Sequence, residues 1–190
     1  MYGLLEQKWY TLSRRHVEDI RAEITKTLIN WHGSKTVTLA LDNNNEFKHV
    51  INIGTDAQKH GHNMDFVTAC VILNPGKGGI VYYCKTRVNH INGLQHKLFT
   101  EVALSLELAQ GLIEYGMSAD AMNIHIDANT NMTWKSGEYH QQLAGMVAGY
   151  GIESTLKPSS WVASHVADHV VKNKNLSKKE QRYLKKNRCR

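Results

Sequence analysis

Residues 93–128, GLQHKLFTEVALSLELAQGLIEYGMSADAMNIHIDA, switch from one hydrophobic period to another, and that switch decides the fold. Over residues 93–115 the apolar positions Leu94, Leu98, Val102, Leu106, Ala109 and Leu112 recur at helical spacing. Over residues 121–128 they alternate, which predicts a strand. A strand reached through a helix lies parallel to its neighbour. Upstream, residues 49–55 (HVINIGT), 66–73 (FVTACVIL) and 80–88 (IVYYCKTRV) read as strands, the last two joined by a glycine-rich turn into an antiparallel hairpin. Downstream come a helix over 136–150 closed by Gly151, a strand over 152–157, and a last helix capped by Ser159 or Ser160 and running to residue 171. A first helix over 14–31, capped by Thr11 or Ser13, and a short alternating run over 36–41 precede these elements. After that helix, the order β-β-β-α-β-α-β-α predicts an α/β fold: a mixed five-stranded sheet flanked by helices.

The 190 residues, 42% hydrophobic and 21% charged with two prolines, suit one globular domain and exclude a disordered or fibrous chain. No run approaches the roughly 20 apolar residues of a membrane span. In the opening MYGLLEQKWYTLSRRH the basic residues follow the apolar patch, the reverse of a signal peptide. Three cysteines, Cys70, Cys84 and Cys189, form no CxxC pair, which fits a reducing, cytoplasmic setting with Cys70 and Cys84 as packing residues. The net charge of +6 is concentrated: residues 172–190 hold nine Lys or Arg against one acid, leaving the rest slightly acidic. Such a tail suits a polyanion, and nucleic acid is the expected partner, with Lys178, Lys179, Arg182, Lys185, Lys186 and Arg188 on phosphates. The competing reading is a solubilising tail. Neither a membrane nor a nucleotide cofactor is expected.

Four carboxylates fall where propensity would not place them. Asp56 ends the first strand of the sheet, Asp127 ends the fourth, Glu101 interrupts the apolar stripe of the crossover helix, and Asp168 lies in the last helix. Asn52, Gly54 and Asp56 share one parity, as do Asn123, His125 and Asp127, so both aspartates can occupy one sheet face. If the strands are neighbours, Asp56, Glu101 and Asp127 converge, and like charges that close need cations between them. Hard oxygen donors point to Mg²⁺ or Mn²⁺. Taken singly, Asp56 and Asp127 are also ordinary turn formers and Asp168 a solvated helix residue.

The segments 53–58 (IGTDAQ), 101–109 (EVALSLELA), 124–128 (IHIDA), 150–152 (YGI) and 157–168 (KPSSWVASHVAD) resemble, in type and order, the ribonuclease H-like superfamily and within it the YkuK-type family. The resemblance covers roughly residues 48 to 172. It implies a ribonuclease H-like sheet in the order 3-2-1-4-5 and an acidic site of Asp56, Glu101, Asp127 and Asp168. It further implies two divalent ions and phosphodiester hydrolysis in RNA, RNA/DNA hybrid or structured DNA. His165 would relay protons or help product leave, and Lys157 would meet a phosphate. Gln58 stands where a proofreading exonuclease of the superfamily carries a second acid, which speaks against that activity. The alternative is a non-catalytic nucleic-acid-binding module with the same fold. The expected division is an N-terminal helix and connection over 1–47, the ribonuclease H-like domain over 48–172, and the basic tail over 173–190.

Overall fold

Ile51, Ile53 and Thr55 point to one face of their strand and Asn52, Gly54 and Asp56 to the other, and the neighbouring strands continue this alternation in register. The computed structural model describes residues 2–32, 50–60, 63–74, 78–131, 133–167 and 170. Its strands are β1 (Trp9–Thr11), β2 (His16–Val17), β3 (Ile51–His60), β4 (Asn63–Asn74), β5 (Gly78–Asn89), β6 (Met122–Asn129) and β7 (Glu153–Lys157). They form one sheet in the order β2-β1-β5-β4-β3-β6-β7. The meander β3-β4-β5 is antiparallel, whereas β6 and β7 join parallel to β3. Strands β5-β4-β3-β6-β7 are therefore the expected order 3-2-1-4-5, extended at one edge by a hairpin.

Helices α1 (Ile20–His32), α2 (Gly93–Glu114) and α3 (His140–Ala148) cover the Ile51 face, where Ile24, Ile53, Ile72, Leu104, Leu108 and Ile124 are fully buried. The other face is covered in part by a π-helical segment, Val162–Ala167, whose Val162 and Ala167 pack with Val67, Ala69 and Val71. Cys70 and Cys84 are buried free thiols, as packing residues should be. Burial pushes the Cys84 thiol up to about 12.

The N-terminal region departs from expectation. Residues 9–17 form the β1–β2 hairpin and α1 starts at Ile20, not at residue 14. Trp9 and Val17 pair across the hairpin and are both buried, a contact that a helix starting at residue 14 would break. The Thr11 hydroxyl accepts the Arg15 backbone N–H at 3.2 Å, so it closes the hairpin turn instead of capping a helix. Strand β3 also runs beyond Thr55, because β4 pairs with it as far as His60↔Asn63. Asp56 thus lies inside the strand and not at its end. The expected helix over 136–150 begins as a 3-10 turn, Gly137–Tyr139. The run 36–41, the end of the last helix and the tail lie outside the described residues.

Glu107 of α2 ties the N-terminal segment to the domain. Its two carboxylate oxygens accept the backbone N–H groups of Tyr2 at 2.7 Å and Leu4 at 3.0 Å, and the side chain is buried. Removing it orphans two donors and forfeits charge-assisted bonds worth about 2 kcal/mol together. Glu107→Ala is expected to lower the denaturation midpoint by that order and to raise amide exchange over residues 2–11 more than over β4.

Candidate active site

Strands β3 and β6 pair from Ile51↔Met122 to Gly54↔His125, and β6 and β7 lose register between His125 and Asn129. Asp56 and Asp127 each sit two residues past the Gly54↔His125 pair, on equivalent positions of strands that are separating. Divergence opens a gap at the end of the β3–β6 pairing, inside the sheet, into which α2 delivers a third carboxylate. Its placement is fixed by a chain of hydroxyls: Thr68 to Thr55 at 3.0 Å, Thr55 to Ser105 at 2.8 Å, and Ser105 donating to the Glu101 carbonyl at 3.0 Å. One turn of α2 is thereby pinned to β3.

Glu101 is 3% exposed and shares with Asp127, Thr55 and His125 a crevice too narrow for a water molecule. Its Oε2 accepts no hydrogen bond among the described residues. Burial pushes its carboxyl up to about 8, against the attraction of Lys97 and with further help from Asp56 and Asp127. The Lys97 ammonium bridges two carboxylates, 3.1 Å from Glu101 Oε1 and 3.5 Å from Asp56 Oδ1. Burial alone would depress the Lys97 ammonium, but the charges of Glu101 and Asp56 prevail and raise it. Across the gap, Lys157 Nζ lies 2.7 Å from Asp127 Oδ1.

The structure therefore brings together Asp56, Glu101 and Asp127, with Lys157 paired to an aspartate. His165 is exposed on the π-helical segment. Asp168 lies outside the described residues, as do Lys178, Lys179, Arg182, Lys185, Lys186 and Arg188. Sequence reasoning missed Lys97, since a lysine one turn before a glutamate is ordinarily a solvated surface pair. It also missed a buried polar row beneath the site: His125 Nε2 lies 3.1 Å from Asn52 Oδ1, and Asn123 Nδ2 donates to Thr155 Oγ1 at 2.8 Å. This row ties β3, β6 and β7 together just before β3 and β6 separate, and Trp161 closes over the His125 ring edge-on at 5.4 Å.

With lysines between the carboxylates, no group of three His, Cys, Asp or Glu among the described residues stands ready to chelate a metal ion. The donor set fits a hard divalent cation all the same. It consists only of carboxylates, one of them buried with an oxygen that lacks a hydrogen bond, and its repulsion is already being relieved by positive charge.

The ribonuclease H-like sequence profile matches residues 34–172. The chain belongs to the ribonuclease H-like family. Within residues 34–172 lie all five strands of the 3-2-1-4-5 order and every carboxylate of the site, so the family's region and the acidic gap coincide. The chain is also similar to the uncharacterized protein YkuK of Bacillus subtilis (strain 168), at 27% identity over 139 residues, covering 65% of this chain and 80% of that protein. No solved structure matches.

The raised Glu101 carboxyl has a sign that can be measured. Unfolded, the group ionises near its ordinary 4.5; folded, it holds its proton to about 8, so its contribution is fully present below 4.5 and is lost as pH rises towards 8. Glu101→Gln, which copies the neutral form, is expected to equal the parent protein at pH 4.5 and to exceed it in stability at pH 8. Denaturant midpoints at both values check this, and equal midpoints at pH 8 would contradict it.

Proposed function

We propose that the protein is a divalent-cation-dependent nuclease of ribonuclease H type, hydrolysing phosphodiester bonds in RNA, RNA/DNA hybrid or structured DNA. The observation that carries this reading is the convergence of Asp56, Asp127 and the buried Glu101 where β3 and β6 separate. Asp56, Glu101 and Asp127 would hold Mg²⁺ or Mn²⁺, with Asp168 proposed as a fourth donor. Two such ions, when bound, supply charge neutralisation at the scissile phosphate and activation of the attacking water.

The chain's own part is to hold and release charge. Glu101 must give up its proton before it can act as a ligand, so loading strengthens as pH rises to about 8. Lys97 and Lys157 neutralise the carboxylates beforehand, and their ammonium groups then become available to the substrate phosphates. The Asn52, His125 and Thr155 row holds the strand ends at their spacing, and His165 is proposed to carry a proton to or from the products. The exposed Trp134, beyond β6, offers a surface for a base, whereas Tyr139 is engaged edge-on with Phe99 at 6.4 Å. The basic tail is proposed as a further phosphate grip.

One observation favours the second reading, a non-catalytic nucleic-acid-binding module. Lysines already lie against all three carboxylates of the site, as expected of a site that has exchanged metal for ammonium. A panel of labelled RNA, hybrid and branched DNA substrates, titrated with Mg²⁺ and Mn²⁺, separates the two. The nuclease reading expects cleavage to 5′-phosphate and 3′-hydroxyl ends, reduced at least 100-fold by Asp56→Asn. Salt-sensitive binding without cleavage at any metal concentration would leave the module.

A further inference from the structure

The face of the sheet that carries Asp56 continues past the π-helical segment onto the edge hairpin. Across it the register runs Gly54, Ala69, Tyr83, Tyr10 and His16 in one row, and Asp56, Val67 and Lys85 in the next. Here Glu6, Lys8, Tyr10, Arg14, Tyr83 and Lys85 line an open cleft of about 590 Å³. The Tyr10 and Tyr83 rings lie 5.9 Å apart and tilted by 32°, and the His16 ring meets Tyr10 edge-on at 5.6 Å. Lys85 Nζ stands 5.9 Å from the Tyr83 ring centre. Lys8, Arg14 and Lys85 face one acid, Glu6, in this cleft; Lys85 Nζ also donates to the Val170 carbonyl at 3.5 Å. Two strand spacings, about 10 Å, separate Lys85 from Asp56, with Val67 buried between them.

We propose that this cleft binds single-stranded nucleic acid at the edge of the sheet, on the far side of the π-helical segment from the carboxylates. A base stacks on the Tyr10 and Tyr83 rings, while Lys8, Arg14 and Lys85 meet successive phosphates. Aromatic rings beside a line of cations are the means by which proteins hold single strands without reading sequence, since every base has a stacking face and every nucleotide a charge. A duplex keeps its bases stacked on each other and has none to offer the tyrosines. An acidic peptide would satisfy the cations and leave the rings unused. The hairpin supplies Lys8, Tyr10 and Arg14, so the edge extension of the sheet gains a purpose that packing alone does not give it.

The inference rests on the nucleic-acid reading above, but it is tested without cleavage. Fluorescence anisotropy of labelled 12-nucleotide U and dT strands is measured on the full chain in chelator, beside a blunt duplex and a polyglutamate peptide. Both single strands are expected to bind more tightly than the duplex and the peptide, with a U against dT difference reporting any use of the 2′-hydroxyl. Tyr10→Ala and Lys85→Gln are each expected to weaken binding roughly tenfold, Tyr10→Phe is expected to retain it, and Lys85→Gln to flatten the salt dependence. Near-ultraviolet cross-linking from 4-thiouridine should mark Tyr10 or Tyr83, a readout that survives any modest loss of stability in the variants. Binding unchanged by both substitutions, cross-links confined to other residues, or equal affinity for the peptide would overturn the proposal. Binding at the cleft with no cleavage in any metal would instead defeat the nuclease reading and leave this one standing.

Discussion

Three carboxylates crowded together, one of them buried away from water, set the terms for this molecule. Two parallel strands carry aspartates at equivalent positions, a helix adds a glutamate from the opposite face, and water is kept from the glutamate. Such a group cannot ionise fully unless positive charge enters it. Lys97 and Lys157 supply that charge, and Glu101 adjusts further by keeping its proton. In the proposed nuclease, the gap would exchange ammonium and protons for harder cations.

The gap exists because the strands part. Asn52, His125, Asn123 and Thr155 link β3, β6 and β7 at the level where β3 and β6 stop pairing, and the hydroxyl chain from Thr68 through Ser105 clamps α2 close by. Buried polar contacts of this kind are valuable only when satisfied, and they fix one arrangement of the strand ends. The apolar cores on the two faces supply stability in bulk, and the polar clamp supplies position.

Much of this was readable in the residues. The shared parity of Asn52, Gly54, Asp56 and of Asn123, His125, Asp127 follows from the two-residue period of strands, and it placed both aspartates on one face. Glu101 stood out because it broke an apolar stripe. Lys97 did not stand out, because a lysine four residues before a glutamate is ordinarily a solvated surface pair; only tertiary packing shows that this one bridges to Asp56. The β1–β2 hairpin was hidden for another reason. Its strands are three and two residues long, too short for a period to show, and the polar Ser13-Arg14-Arg15-His16 between Trp9 and Val17 imitates a helix start. The order 3-2-1-4-5 was legible, whereas the edge extension depended on the Trp9↔Val17 and Tyr10↔Tyr83 pairings.

If Asp56, Glu101 and Asp127 form the proposed cation site, its loading displaces a proton. Calorimetric titration of Mn²⁺ at pH 6.5, in two buffers of different ionisation enthalpy, measures this directly. The account predicts binding accompanied by release of about one proton, with the release vanishing in Glu101→Gln and falling away above pH 8. Absence of binding, or binding with no proton released, would contradict it.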